Sequence, residues 1–364
     1  MIPVSEPDIG EKEIEYVDDA VRSGWVSSHG KYIDEFEREF SKFIGTEYGL
    51  TVSNGTTALH LALSALGIRE GDEVIVPDLT FISPVNAVIY CNATPVLCDI
   101  DRNNWCIDSG KIEALITPKT RAIIVVQLYG NSADMDKIME IAKKHKLYVI
   151  EDTAESLGTT YKGKRLGSIG DIGCFSFYGN KTMTTGEGGF CTTDNKELYE
   201  KMSMLRDHGM TSKKRYWHEF IGYNYRMTNL QAALGVAQLE RINYFIERKH
   251  EIGKIYRNKL KNKVTLHPEG GDYKGTYWLY SILLENEKER DSLMDFLYKN
   301  GVDTRRFFYP VHVMPPYERY TRGKYPVSTD ISERGINLPS SVKLKDGEVE
   351  YVCDKIIEFL ENEV

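Results

Sequence analysis

Groups that can do chemistry stand directly after three separate strand-like segments of this sequence. The turn SNGTT (53–57) follows one such segment, Asp152 ends a second, and Lys181 follows a third. A lysine amine is a nucleophile and a base when its charge is suppressed, and a carboxylate can stabilise a protonated nitrogen. Hydroxyls and free N–H groups at the start of a helix bind phosphate. Together the three features predict a site for a phosphorylated organic cofactor.

Pyridoxal phosphate requires this combination of groups. Its aldehyde bonds to a lysine, a carboxylate keeps its pyridine nitrogen protonated, and N–H and hydroxyl groups hold its phosphate. Each feature alone also has a plainer interpretation, since SNGTT resembles a capped turn in which Gly55 supplies backbone freedom, Asp152 can cap a helix over 153–157, and most lysines are solvated. A Walker A pattern and a GxGxxG at the first strand–helix turn are both missing, so nucleotide hydrolysis and dinucleotide binding are not indicated.

These residues belong to a pattern of alternating strands and helices between about residues 45 and 195. Helical spacing occurs in 57–66, where Gly67 predicts the C-terminal cap, and in 134–144. Such alternation predicts a mainly parallel sheet with helices on both faces and ligands at the carboxyl ends of its strands. The predicted strands are YGLTV (48–52), EVIVP (73–77), TPVLC (94–98), AIIVVQ (122–127), YVIED (148–152), CFSF (174–177) and GFCTT (189–193).

The last third of the chain has a different pattern. A single long helix over 229–249 is predicted to link two domains, and a strand-like TYWLYSILLE (276–285) and two further helix patterns follow it. We expect a large domain over 30–248 and a smaller α+β domain over 249–364 that includes part of residues 1–29.

Composition excludes several classes of function. The chain has 364 residues, 41% of them hydrophobic, and a formal net charge of −8, which is unlike a nucleic-acid-binding protein. Its N-terminus lacks a signal-peptide pattern and no apolar run approaches the ~20 residues of a membrane span. Six cysteines without a CxxC pair indicate reduced thiols and no metal site. A cytoplasmic protein is therefore expected.

Five segments in colinear order resemble the DegT/StrS family of nucleotide-sugar aminotransferases: SNGTTALHLAL, PDLTFISPVNAV, VIEDTAESLG, FSFYGNKTMTTGEGG and GYNYRMTNLQAALG. The resemblance extends over essentially the whole chain. It implies an α/β fold of the fold-type I, aspartate aminotransferase-like class, with a mixed, mostly parallel sheet in the large domain and a smaller α+β C-terminal domain. It also implies pyridoxal 5′-phosphate as the cofactor.

The resemblance assigns a role to each candidate residue. Lys181 would carry the cofactor and move protons between cofactor and substrate, and Asp152 would pair with the pyridine nitrogen. Phe81 would stack on the ring, although without the motif it would be taken for a core aromatic, and Glu155 would lie near the phenolic oxygen. Asn224 would reach the phosphate from the neighbouring subunit, which implies a homodimer, with a tetramer also open. The remaining phosphate contacts would come from Gly55, Thr56, Thr57 and Ser176.

The sequence predicts the substrate-binding residues less specifically than the cofactor-binding residues. The segments 24–37, 215–229 and 304–317 are most similar to family members that aminate C4 of GDP-4-keto-6-deoxymannose with glutamate as the donor. Tyr309 and His312 lie in a motif that faces the sugar in relatives, or form a structural loop held by prolines. Further sugar candidates are Trp25, Ser27 and Trp217, and the diphosphate candidates are Lys213, Lys214, Arg215, Arg305 and Arg306.

Two other activities stay open at this point. The acceptor can instead be a dTDP- or UDP-linked 4-keto-6-deoxy sugar. One branch of the family replaces the lysine with histidine and dehydrates the sugar, and Lys181 favours amino transfer over that reaction.

Overall fold

A computed structural model describes residues 1–211 and 213–362, and its central element is a sheet of seven strands. The strand order is β1-β9-β8-β5-β4-β2-β3, and only β9 runs antiparallel to its neighbours. The sheet strands are β1 (Tyr48–Val52), β2 (Glu73–Pro77), β3 (Thr94–Cys98), β4 (Thr120–Val126), β5 (Tyr148–Asp152), β8 (Ile172–Ser176) and β9 (Gly189–Thr193); two short strands between them are β6 (Thr160–Tyr161) and β7 (Lys164–Arg165).

Helices cover both faces of this sheet and continue into the C-terminal part of the chain. The helices are α1 (Glu11–Arg22), α2 (Lys31–Ile44), α3 (Gly55–Ala65), α4 (Ser83–Tyr90), α5 (Ser109–Leu115), α6 (Met135–His145), α7 (Lys196–Arg206), α8 (Asn229–Glu240), α9 (Ile242–Leu260), α10 (Glu287–Lys299), α11 (Pro326–Arg334) and α12 (Asp346–Asn362). No helix in the described ranges is both long and apolar enough to cross a membrane.

All seven predicted strands of the main sheet are present. The strand predicted at 122–127 begins two residues earlier, and the one predicted at 174–177 covers 172–176. Gly67 follows α3 with a φ of +80°, the left-handed conformation that glycine favours at a helix end. Since β9 is antiparallel to both β1 and β8, those two strands point the same way as β5, and the carboxyl ends of all three meet at one edge.

Two predictions for the C-terminal part were wrong in detail. The single helix predicted over 229–249 is two helices, because Arg241 leaves the helical conformation between α8 and α9 with φ −100° and ψ 1°. Its guanidinium is bonded to Asp8 and Glu13, so tertiary contacts occupy the side chain at the break. The strand predicted over 276–285 is reduced to Ser281–Leu283, since Tyr277 has a φ of +48°, a left-handed conformation that interrupts an extended strand.

A second sheet of four strands forms the C-terminal part, in the order β10-β12-β14-β13. The N-terminal residues join it, because Ile2 pairs with Val302 and Ser340 N–H donates to the carbonyl of Val4. Helix α1, in contrast, packs against α8. The division into a 30–248 and a 249–364 domain stays a prediction. The strands are β10 (Thr265–Leu266), β12 (Ser281–Leu283), β13 (Arg305–Arg306) and β14 (Gly335–Asn337), while β11 (Tyr273–Lys274) pairs with β6.

An aromatic cluster joins α2 to the strands that precede and follow Lys181. Phe40 is fully buried, and its ring centroid lies 5.0 Å from that of Phe175, 5.1 Å from Phe177 and 4.6 Å from Phe190. Edge-to-face and tilted contacts of this kind add to the free energy gained by burial. The cluster therefore holds β8 and β9, and with them the loop between the two strands that contains Lys181.

The substitution Phe40→Ala is expected to lower the free energy of unfolding by about 3–5 kcal/mol, because it leaves a cavity inside the cluster. Denaturant titration of the purified variant measures the change. Tyr298→Ala, at a ring that is 62% exposed, is the matched control and should change stability by less than ~0.5 kcal/mol. Equal losses in the two variants would contradict the role of the cluster.

Candidate active site

A cavity of about 420 Å³ opens at the edge where the carboxyl ends of β1, β5 and β8 meet. Its walls come from the main sheet, from the N-terminus of α3, and from the C-terminal part of the chain. Residues that line it are Asn54, Gly55, Thr56, Leu59, Thr80, Phe81, Ser83, Val126, Asp152, Ala154, Glu155, Cys174, Phe175, Ser176, Tyr178, Asn180, Lys181, Glu187, Trp278, Arg305 and Phe308. Seven of the sequence-predicted cofactor residues are in that set.

Lys181 extends into this cavity and is almost enclosed, with 12% of its side chain exposed. Its Nζ lies 3.5 Å from Oε1 of Glu155 and 3.7 Å from the centre of the Trp278 ring. Burial lowers the pKa of Lys181, and the carboxylates of Glu155 and Asp152 oppose that shift. The amine can therefore change protonation state more readily than a solvated lysine, as a nucleophile or proton carrier must.

Two buried carboxylates face the lysine. Glu155 is 5% exposed, and its Oε2 accepts a hydrogen bond of 3.0 Å from the backbone N–H of Tyr129. Burial raises the pKa of Glu155, and Lys181 works against this. Burial also raises the pKa of Asp152 to about 6, with a further contribution from the nearby charge of Glu155. Each carboxylate therefore needs a cationic or N–H partner to stay ionised in the cavity.

Asp152 does not cap a helix, the plainer interpretation that its sequence allowed. Its Oδ1 accepts a 3.1 Å hydrogen bond from Ala154 N–H, and no helix is present at 153–157. The side chain is 7% exposed at the end of β5 and lines the cavity. A protonated ring nitrogen is the kind of group that this carboxylate could bind.

The N-terminus of α3 forms part of the cavity wall. Asn54 caps the helix by accepting from Thr57 N–H at 2.9 Å, so the N–H groups of the first turn at Gly55 and Thr56 have no partner within the helix. The Thr56 hydroxyl lies 2.7 Å from the hydroxyl of Ser83. A Cβ on Gly55 would lie 2.8 Å from Cβ of Ser176, so only glycine lets the helix approach β8 this closely. This helix start and its hydroxyls suit a phosphate.

The chemistry of the donor set therefore fits pyridoxal phosphate. A lysine, buried carboxylates, free N–H groups and hydroxyls all line the same cavity. Phe81 is 54% exposed although it is a large apolar side chain, and its ring lies 5.7 Å from that of Phe308 at the cavity wall. An exposed aromatic face over such a cavity is suited to stacking on a flat ring.

Several predicted residues are elsewhere. The Thr57 hydroxyl is 2.8 Å from the carbonyl of Asn54 and belongs to the helix cap, not to the cavity lining. Asn224 is exposed, and Nε of Arg226 donates to its side-chain oxygen at 3.1 Å. The structure does not bring Asn224 to the cavity of its own chain. Three further candidates also lie outside this lining and are exposed: Trp25, Ser27 and Trp217.

The remaining substrate candidates lie in the C-terminal part. His312 is bonded through Nδ1 to the buried Asp78 at 2.8 Å and through its backbone N–H to the same carboxylate. Tyr309 is half exposed, and the Arg306 guanidinium stacks on its ring at 3.6 Å. Neither lines the cavity, whereas Arg305 does. The other basic candidates, Lys213, Lys214 and Arg215, are exposed on a separate loop.

Trp278 is a site residue that sequence reasoning missed. It lies in TYWLYS, whose apolar and aromatic residues suggested a buried strand. The structure shows an indole that is 4% exposed, lines the cavity and covers the amine of Lys181. Only a lysine far along the chain distinguishes this tryptophan from core residues, so no local signal could have identified it.

Replacing Asp152 with asparagine is expected to stabilise the protein after it has been freed of bound small molecules. Since the folded-state pKa of about 6 exceeds the ordinary 3.8, ionisation costs folding free energy as the pH rises between these values. The advantage of D152N over wild type should grow from pH 4 to 6 and then level, at no more than about 3 kcal/mol. Thermal unfolding as a function of pH measures it. D295N, at an exposed position in α10, is the control, and a pH-independent difference for D152N would contradict the assignment.

Relatives with this chain length and order of motifs are known. A protein 50% identical over 359 residues is the GDP-perosamine synthase of Escherichia coli O157:H7, and each chain is covered to 98%. The GDP-perosamine synthase of Vibrio cholerae is 46% identical, again with 98% of each chain covered. A dTDP-3-amino-3,6-dideoxy-alpha-D-galactopyranose transaminase of Aneurinibacillus thermoaerophilus is 39% identical over 95% of each chain.

Solved structures have the same fold. A putative sugar aminotransferase from Streptococcus pneumoniae in its PLP form is 30% identical and superposes with a TM-score of 0.95, covering 100% of this chain and 99% of the other. Its PMP form has the same identity and TM-score and covers 99% and 98%. The predicted aminotransferase-like α/β fold is thereby confirmed, and pyridoxal phosphate is the cofactor.

The family model matches residues 7–357, nearly the whole of the chain. Together with the relatives and the cavity described above, this match identifies the protein as a pyridoxal-phosphate-dependent sugar aminotransferase of the DegT/DnrJ/EryC1/StrS aminotransferase family.

Proposed function

We propose that the protein transfers the amino group of glutamate to C4 of GDP-4-keto-6-deoxymannose and so makes GDP-perosamine. The relatives with 46% and 50% identity that carry the name GDP-perosamine synthase support this acceptor. The observation that carries the chemistry is the position of Lys181, 3.5 Å from Glu155 and in the same cavity as Asp152 and the N-terminus of α3. A cytoplasmic location stays a prediction from the sequence.

Residues of the cavity lining would hold the cofactor. The phosphate would bind at the free N–H groups of Gly55 and Thr56, with the hydroxyls of Thr56 and Ser176 as further donors. Asp152 would bind the pyridine nitrogen, and that contact would keep the carboxylate ionised in spite of its burial. Phe81 would stack on one face of the ring.

When bound, pyridoxal phosphate withdraws electrons from the carbon that gains or loses the amine. Lys181 would hold the cofactor covalently and, when free, carry a proton at Nζ to and from that carbon. A general base works best when its pKa lies near the working pH, and burial lowers the pKa of Lys181 in that direction. Glu155 would accept a hydrogen bond from the same Nζ and orient it.

Both substrates are anions, and the cavity contains a cation that no described carboxylate neutralises. Arg305 lines the cavity, and among residues 1–211 and 213–362 no carboxylate oxygen lies within ion-pair distance of its guanidinium. Arg306 differs, since it stacks on Tyr309 and donates to its hydroxyl. We therefore favour Arg305 over Arg306 as a contact for a substrate anion.

A homodimer would complete the site. Asn224 lies on an exposed loop and does not reach the cavity of its own chain. The same loop region exposes Trp217 and Ile221, the latter with 96% of its surface accessible. A second copy of the chain would cover these apolar side chains and accept Asn224 at its cofactor phosphate. Whether dimers associate further into tetramers is left open.

Two alternatives rest on specific observations. A relative with 39% identity carries the name of a dTDP-3-amino sugar transaminase, which favours a dTDP carrier but has the amine at C3. A dTDP- or UDP-linked 4-keto-6-deoxy sugar is the second candidate acceptor. Dehydration without amino transfer is the third possibility. Lys181, whose Nζ is placed to carry a proton in the cavity, favours amino transfer over dehydration.

Incubation with ¹⁵N-glutamate and GDP-, dTDP- or UDP-linked 4-keto-6-deoxy sugars separates these acceptors. We expect ¹⁵N at C4 of the GDP sugar, identified by mass and NMR, and at least ~10-fold lower kcat/KM with the other nucleotides, a difference of about 1.4 kcal/mol. A product without the label would show dehydration. Preference for a dTDP or UDP sugar would overturn the proposed acceptor.

Lys181→Ala serves as the active-site control for that experiment. It should lose amino transfer by at least ~10³-fold, because both the covalent anchor and the proton carrier are missing. Borohydride reduction should attach the cofactor to the Lys181 peptide of the wild type. Lys254→Ala, at an exposed position in α9, is the matched control and should behave as wild type.

Hybrid dimers test the shared site. Asn224→Ala should weaken phosphate binding by about 10- to 100-fold, the effect of one hydrogen bond to a charged group. At a cofactor concentration too low to load the N224A homodimer, dimers formed from one K181A and one N224A subunit should regain activity that neither homodimer shows, because one of the two sites then contains both residues. Co-expression with two purification tags isolates the hybrid. No gain over the parents would place Asn224 outside the partner's site.

A further inference from the structure

Trp278 is held by one hydrogen bond from its indole and one to its backbone carbonyl. Its Nε1 donates a 2.7 Å hydrogen bond to the carbonyl of Asn180, the residue before Lys181. Its own carbonyl accepts a 2.8 Å hydrogen bond from Nζ of Lys249, which also donates to the carbonyl of Ser340 at 2.7 Å. The tryptophan therefore connects the lysine loop to helix α9 and to the C-terminal part of the chain.

Lys249 is an unusual residue to hold a backbone carbonyl in place. It is 3% exposed, and among the described residues no carboxylate oxygen lies within ion-pair distance of its Nζ. Burial lowers its pKa to about 7. A buried lysine that bonds only carbonyls costs folding free energy. We therefore expect Lys249 to have a functional or a positioning role. The carbonyl that it holds belongs to the residue covering Lys181.

The face of the indole is directed at the Lys181 amine. Nζ lies 3.7 Å from the ring centre, well inside the ~6 Å range of a cation–π contact. Glu155 is 3.5 Å from the same Nζ. Asp152 and Arg305 are the other charged groups that act on Lys181, the first favouring and the second opposing its protonation, and Glu187 also lines the cavity. Trp278 thus supplies attraction for the ammonium without adding a third neighbouring carboxylate.

We propose that Trp278, held in place by Lys249, is a positioning residue that together with Glu155 receives the Lys181 ammonium whenever that amine is not bonded to the cofactor. The lysine is freed each time the cofactor holds the substrate's amino group, and it must then stay close and correctly oriented to move a proton. A ring face and one carboxylate hold the ammonium on two sides and leave its third side directed into the cavity. This inference rests on the proposed role of Lys181 as the cofactor-bearing lysine.

The pH dependence of chemical labelling of Lys181 tests the proposal. Protein loaded with pyridoxamine phosphate has Lys181 free, and acetic anhydride acylates only the neutral amine. The labelled peptide is quantified by mass spectrometry across the pH range. In Trp278→Leu the midpoint of labelling should fall by about 0.5 to 1.5 pH units, the loss of a buried cation–π contact. Trp278→Phe retains a ring and should recover part of this shift.

Lys249→Met should shift the midpoint in the same direction by a smaller amount, because the backbone carbonyl of Trp278 loses its hydrogen bond from Lys249 while the indole keeps its own. Lys254→Met on the exposed face of α9 is its matched control. Phe43→Leu, at a ring that contacts Arg165 elsewhere, controls for loss of an aromatic side chain. Neither control should move the midpoint.

The outcomes are distinguishable. A faster plateau rate in W278L with an unchanged midpoint would mean that the indole only shields Lys181, and the proposal would fail. A shift in W278L without one in K249M would show that Lys249 does not help to position Trp278. If W278L does not fold, W278F decides, since it keeps the buried ring. Loading with pyridoxal phosphate should protect Lys181 from labelling, and lack of protection would overturn the role of Lys181 itself instead of this inference.

Discussion

The site depends on one buried contact, between the amine of Lys181 and the carboxylate of Glu155. Burial disfavours the charge on both groups, and the opposite charge of the partner offsets part of this effect for each. The pair is therefore easily changed in protonation state, whereas a solvated ion pair would stay charged. Asp152 lies in the same cavity and needs a cationic partner for the same reason, which the ring nitrogen of the cofactor would supply. The reactivity of these groups therefore follows from the burial of one amine and two carboxylates at one edge of the sheet.

Burial of these three groups requires close packing between parts of the chain that are far apart in sequence. The carboxyl ends of β1, β5 and β8 point to one edge because β9 alone runs against its neighbours. Gly55 lets α3 come within contact of Ser176, so the helix start lines the same cavity as the lysine. Phe40 packs the strands around the lysine loop, and Trp278 closes the cavity from the C-terminal part. Rigid support of this kind is what allows a flexible lysine side chain to be kept in one place.

Many features of this site were predictable because they are local. The positions of Lys181, Asp152 and the SNGTT turn follow from strand ends, and strand ends follow from runs of β-branched residues between turns. All seven strands of the main sheet were recognised in this way. Long-range contacts were not predictable. Arg241 interrupts a helical pattern because Asp8 and Glu13, more than 200 residues away, bind its side chain. Trp278 lies in a segment that was predicted only as a strand, and its contact with Lys181, almost 100 residues away, assigns it to the site.

The sequence by itself determined the family, the fold class, the cofactor and the strands whose ends carry its ligands, since these depend on residue types and short spacings. Only the tertiary structure decided which side chains share the cavity. It placed Thr57 in a helix cap and His312 against Asp78, while Arg305, Phe308 and Trp278 became walls of the site. The physical reason is that burial, and with it the pKa of Lys181, Asp152 and Glu155, is set by neighbours that are remote in the chain.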